Sequence, residues 1–75
     1  MTTQEFENLK SSDVVSDKKF GKKYSVIKKD RILVKDSKEG WVPCVIYQPM
    51  YENDFDMFVR PTEDFIEDFV VVRKK

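Results

Sequence analysis

The chain has 75 residues, 14 basic and 14 acidic, no histidine and one cysteine, so it describes a single small domain of zero formal charge. A domain of that size buries only about 60–65% of its unfolded surface, and the lone Cys44 excludes an intramolecular disulfide framework while fitting a reducing compartment. No apolar run approaches the roughly 20 residues of a membrane span, and "MTTQEFENLKSS" lacks the basic start and apolar core of a signal peptide, so a soluble intracellular protein is expected.

The first element predicted is a short helix over residues 3–11, with Thr3 as its cap, Glu5 in the first turn and Lys10 near its C-terminal end. Phe6 and Leu9 form its apolar stripe. So short a helix is not stable alone, so it either docks through that stripe or frays. The polar run "SSDVVSDKKFGKK" reads as a linker, which divides the chain into an N-terminal helix and linker (1–17) and a β domain (18–75). Two β-branched runs follow, Tyr24–Ile27 and Arg31–Lys35, with Lys28-Lys29-Asp30 as a tight turn between them. "DSKEG" is a second turn, and "WVPCVIYQ" is the most apolar strand. Trp41, Val45 and Tyr47 share one of its faces, and Val42, Cys44 and Ile46 the other, the pattern of a strand buried on both sides. Pro43 places its first part at an edge or bulge.

After the turn "PMYEND", the stretch "FDMFVR" alternates. Phe55, Met57 and Val59 fall on one face, Asp56 and Arg60 on the other, and Phe58 interrupts the polar face. Pro61 suits a first helical position and acids follow it, so one helical turn is predicted before "FVVVRK" closes the chain as a strand. The fold class expected is mainly β: a small SH3-like five-stranded barrel or meander, with a short N-terminal helix and one helical turn before the last strand. Val45, Tyr47, Phe55, Met57, Val59 and Phe65 are its predicted core, and Arg60 is expected to bridge to nearby acids.

The neutral total hides two blocks. Residues 18–38 hold Lys18, Lys19, Lys22, Lys23, Lys28, Lys29, Arg31, Lys35 and Lys38 against Asp30 and Asp36. Residues 51–68 hold Glu52, Asp54, Asp56, Glu63, Asp64, Glu67 and Asp68 against Arg60 alone. Charged outer faces are what any small sheet needs; a polar molecule that offers one charged side to a partner is the functional alternative. In "KKFGKKYSVIKK", Phe20 and Tyr24 interleave with lysines, a pattern suited to stacking bases along a phosphate backbone.

Catalytic signals are sparse. The absence of histidine removes the commonest general base and zinc ligand. Cys44 inside "WVPCVIY" reads as an inert core thiol, and Gly21 and Gly40 lie too far apart for a phosphate loop. Glu52, Asp54 and Asp56 alternate in "ENDFD" but lack the glycine and distant glutamate of a calcium loop, and Glu63 and Glu67 read as a solvated helix face. Neither enzymatic activity, nor a cofactor, nor a metal is expected.

"VIYQPMYENDFDMFVRPTEDFIEDF" resembles part of the short bacterial and phage family called domain of unknown function 1653. The residues that carry the resemblance are Val45, Tyr47, Tyr51, Val59, Arg60, Pro61 and Phe65, with Ser37 and Glu39 near the family's turn and "GKKYSV" similar to its entry strand. Phe58 stands where the family prefers Trp, the family's turn histidine is missing, and extra residues lie between Tyr24 and Asp36. The resemblance implies a small β fold more than any activity, the family's function being itself unassigned, and the location expected is the cytoplasm of a bacterium or a phage-infected host cell.

The function expected is a non-catalytic binding or adaptor module working through protein contact. Two alternatives stand beside it. One is a phage-type inhibitor or modulator of a host protein, mimicking nucleic acid with the acids of residues 52–68. The other is a nucleic-acid-binding barrel using Lys18, Lys19, Phe20, Lys22, Lys23, Tyr24, Lys28 and Lys29.

Overall fold

The computed structural model describes residues 1–51 and 55–72. In chain order they form α1 (Thr3–Asn8), β1 (Val14–Asp17), β2 (Lys23–Lys28), β3 (Leu33–Asp36), β4 (Gly40–Pro49), β5 (Phe58–Pro61), α2 (Thr62–Asp68) and β6 (Phe69–Val71). The fold is mainly β, with the N-terminal helix and the helical turn before the last strand in their expected places.

All strand pairs are antiparallel. Pairing follows the path β3-β4-β2-β1-β6, with β2 and β3 beside successive parts of β4, and β5 also pairs with β4. There are six strands rather than five, and the sheet does not close into a barrel: β5 and β6 pair with β4 and β1 and not with each other. The extra strand is β1, which lies where a linker was expected. Its run is polar except for Val14 and Val15, but Val15 is fully buried and the strand sits between β2 and β6. Asp17 then closes the β1–β2 turn, its carboxylate accepting from Lys19 N–H at 2.6 Å, while Gly21 takes a φ of 70° that other residues rarely adopt.

Lys28-Lys29-Asp30 does not reverse the chain. β2 and β3 both run antiparallel to β4 and therefore share one direction, separated by a bulge after Val26 and by Arg31 at a φ of 61°. No glycine or Asn-Gly pair is available there to build a two-residue hairpin, and Lys29 is drawn away. Its ammonium bonds the carbonyls of Phe6 (2.6 Å) and Glu7 (2.7 Å), and so closes the C-terminal end of α1, a place where Lys10 was expected to help. At the other end of α1 the cap is Thr2 rather than Thr3, in a reciprocal box with Glu5. Pro61 likewise precedes α2 as its cap residue instead of opening its first turn.

Leu9, Val15, Val26, Val45, Tyr47, Phe65 and Phe69 form the core. The rings of Phe65 and Phe69 stack at 4.6 Å, Tyr47 lies 5.2 Å from Phe69, and Phe6 meets Phe65 edge-on at 6.2 Å, so α1 docks through both members of its stripe. Three residues expected in the core are not there: Phe55, Met57 and Val59 are 80%, 59% and 51% exposed. Phe55 and Met57 precede β5. Within β5 the register sets Phe58 opposite Tyr47 and Arg60 opposite Val45, on the core face, and Val59 opposite Ile46 on the outer one. A one-residue difference in phase exchanges the two faces of a strand, and here the arginine takes the inner position. Its guanidinium lies over the rings of Tyr47 and Phe69 and pairs with Asp68 at 2.7 Å, the bridge expected of Arg60.

Candidate functional site: an acid-rimmed groove on the outer face of β4

β4 presents Val45 and Tyr47 to the core. Its other face, expected to be buried, carries Val42, Cys44 and Ile46, of which Cys44 is buried and the other two are partly exposed. Cross-strand pairing extends this face into a strip: Val34 opposite Val42, Pro61 opposite Cys44 and Val59 opposite Ile46. Cys44 is 3% exposed, while Val34 and Val59 are 43% and 51% exposed. The strip forms the floor of an open groove of about 740 Å³, between the β3–β4 hairpin and the start of α2.

The rim is acidic. Asp36 ends β3 and Glu39 lies in the turn after it, Glu63 and Asp64 come from the first turn of α2, and Lys35 is the single cation among the described residues lining the groove. Lys35 stands over the ring of Trp41, itself 63% exposed at the groove's end. The N–H groups of Lys38 and Glu39 donate to Asp36 at 2.8 and 3.0 Å, which holds its carboxyl below the usual range and keeps it charged. Gly40, with a φ of 78°, lets the turn lead straight into β4.

The predicted acidic surface is thus only partly assembled. Glu63 and Asp64 reach the groove, whereas Asp68 is spent on Arg60, and Glu67 is exposed on α2 but does not line the groove. Asp56 is exposed ahead of β5; Glu52 and Asp54 lie outside the described residues. Asp36 and Glu39 complete the rim, although sequence reading had set Asp36 in the basic block and Glu39 in a turn.

The basic surface is divided too. Lys18, Lys19, Phe20 and Lys22 occupy the β1–β2 turn, with Phe20 70% exposed. Lys22 lies over the Tyr51 ring at 5.9 Å. Lys28 and Lys29 sit at the opposite end of β2, where Lys29 serves α1. Tyr24 turns inward, edge-on to Tyr47 and Phe69 at 5.2 and 5.6 Å, and is not an exposed stacking platform. Tyr24 pairs with Pro49, seven residues along β4 from Val42 in the groove. The lysine-rich turn and the groove therefore lie about 23 Å apart at strand rise.

Tyr47, buried in the core, and the partly exposed Arg60 stand side by side at its edge. Burial pushes the Tyr47 hydroxyl up, against the opposing effect of the Arg60 charge. Burial opposes the Arg60 charge, but the hydrogen bond to Tyr47 and the Asp68 carboxylate at 2.7 Å favour it, and its value is raised. Both effects keep a neutral tyrosine and a charged arginine, which is the state that packs. Among the described residues no three Cys, Asp or Glu side chains gather as a metal site, and no helix is long and apolar enough to cross a membrane.

Fold and groove together define a small antiparallel β domain with one acid-rimmed apolar recess. No family model, no curated protein and no solved structure matches this chain.

Proposed function

We propose that this domain is a non-catalytic binding module that takes a partner protein into the outer-face groove. The observation that carries the reading is the apolar strip around buried Cys44, in which Val34 and Val59 stay exposed and Val42 partly so, on a domain with little apolar area to spare. Exposed apolar patches bounded by charge are typical of protein-contact surfaces. The apolar floor between the carboxylates favours protein contact over mimicry of nucleic acid, which needs charge and no greasy centre. The division of the lysines, with Lys29 engaged and Tyr24 turned inward, weighs against a continuous track for a nucleic-acid backbone.

The test compares two assays on the same protein. Affinity capture from bacterial lysate should recover a protein with the wild type and lose it with Val59→Glu, whose circular dichroism and melting should be unchanged because the side chain is half exposed. Single-stranded and duplex nucleic acid should show no binding that falls steeply with salt. Steep salt-dependent binding, lost on Lys18→Glu and Lys22→Glu and kept by Val59→Glu, would replace this reading with the nucleic-acid one.

A further inference from the structure

β4 is flanked unequally. On one side β2 and β3 accompany it from end to end. On the other, β5 stops at the pair Cys44–Pro61, where Pro61 turns the chain into α2. Among the described residues, 40–43 therefore have a strand on one side alone. Cys44 N–H donates to Ile32 O at 2.8 Å, toward the β3 side. Backbone groups alternate in direction along a strand, so Trp41 aims its N–H and carbonyl, and Pro43 its carbonyl, to the open side. That open edge borders the acid-rimmed groove.

Resting on the reading of the groove as a binding site, we propose that its occupant is an extended, lysine- or arginine-bearing segment of a partner protein, added as a strand beside residues 40–43 of β4. Strand addition takes affinity from main-chain hydrogen bonds and specificity from alternate side chains. The two faces met by such a strand differ here. Its side chains on the outer face meet Val34, Val42, Cys44 and Val59. Those on the core side meet the start of α2, where Glu63 and Asp64 are exposed and Phe65 turns into the core. Glu39 adds a third carboxylate at the hairpin end. Apolar residues alternating with basic ones match both faces at once, and an acidic segment meets repulsion from these three carboxylates and from Asp36, the fourth of the rim. Trp41, more than half exposed on the core-side face with Lys35 already over its ring, offers its remaining surface to an aliphatic stem.

The probe is a fluorescein-labelled peptide of about ten residues alternating Lys and Val, titrated against the full chain and followed by polarisation and by amide spectra of the labelled protein. Saturable binding is expected, with the largest shift and new exchange protection at the Trp41 amide. Glu63→Lys with Asp64→Lys should weaken it at least about tenfold, while Glu7→Lys, at an exposed residue of α1 that does not line the groove, should not. Alternate N-methylation of the peptide backbone should abolish binding, because it removes the ladder and leaves the charges. Equal binding of a Glu–Val peptide, equal loss in the Glu7→Lys protein, or undiminished binding of the N-methylated peptide would each overturn strand addition. If every peptide fails while Val59→Glu still loses its captured protein, the groove stands as a binding site and the strand mode alone falls.

Discussion

Phe65→Ala is expected to cost about 3–5 kcal/mol. The ring is completely buried, stacks on Phe69, and touches both Tyr47 and the Phe6 of α1, so its removal opens a cavity shared by the sheet and both helices. A domain of 75 residues has a total stability of about 4–11 kcal/mol. The variant should therefore be largely unfolded or close to it, with a urea midpoint far below that of the wild type. Phe55→Ala is its control: the same deletion at a residue 80% exposed should change the stability by under about 0.5 kcal/mol. Similar losses at both positions would contradict the placement of the core and restore the opposite phase of the 55–60 segment.

Deletion of residues 1–12 should be the second large effect. Leu9 is 4% exposed and belongs to the core, Phe6 packs on Phe65, and Lys29 bonds the carbonyls that end α1. The ammonium of Met1 donates to Ile66 and Phe69 carbonyls at 2.8 Å each, fastening the segment across α2. Loss of Leu9 alone is worth about 2–5 kcal/mol, so the truncated chain should lose at least about 3 kcal/mol, on the order of 12–24 °C in melting temperature. Lys29→Met should reproduce a small part of that loss by freeing the end of the helix. Unchanged melting of the truncated chain would make the segment an arm rather than a lid on the core.

The parts of this fold that were legible in the sequence are those where local chemistry and tertiary packing agree. The "DSKEG" turn, the β-branched run of β4 and the proline-led acids of α2 each signal one structure at short range. β1 was illegible because its signal is two valines among charges. Its strand character comes from lying between β2 and β6, a non-local fact. The β2–β3 break was misread because lysines and an aspartate look like a turn, whereas direction is set by the pairing of both strands with β4. The phase of β5 failed for another reason. Arg60 reads as an outward residue, yet its guanidinium covers Tyr47 and Phe69 and its charge is met by Asp68. Long cationic side chains bury their stems and behave this way. The groove inherits that phase: Val59 becomes part of an outer strip only because Arg60 faces inward. Glu63 and Asp64 were read as acids in the right element, but Asp36 and Glu39 join them only through the hairpin's position beside α2.

The central claim is that the outer face of β4, and not the lysine-rich turn, meets the partner. Site-specific photo-cross-linking tests it most directly, with a benzophenone side chain placed at position 59 in one protein and at position 20 in another. Both residues are exposed and at least half accessible, so neither replacement should disturb the fold. Irradiation in lysate should give a discrete protein adduct from position 59, suppressed by Glu63→Lys with Asp64→Lys, and none from position 20. An adduct from position 20 alone, whether protein or nucleic acid, would contradict the account.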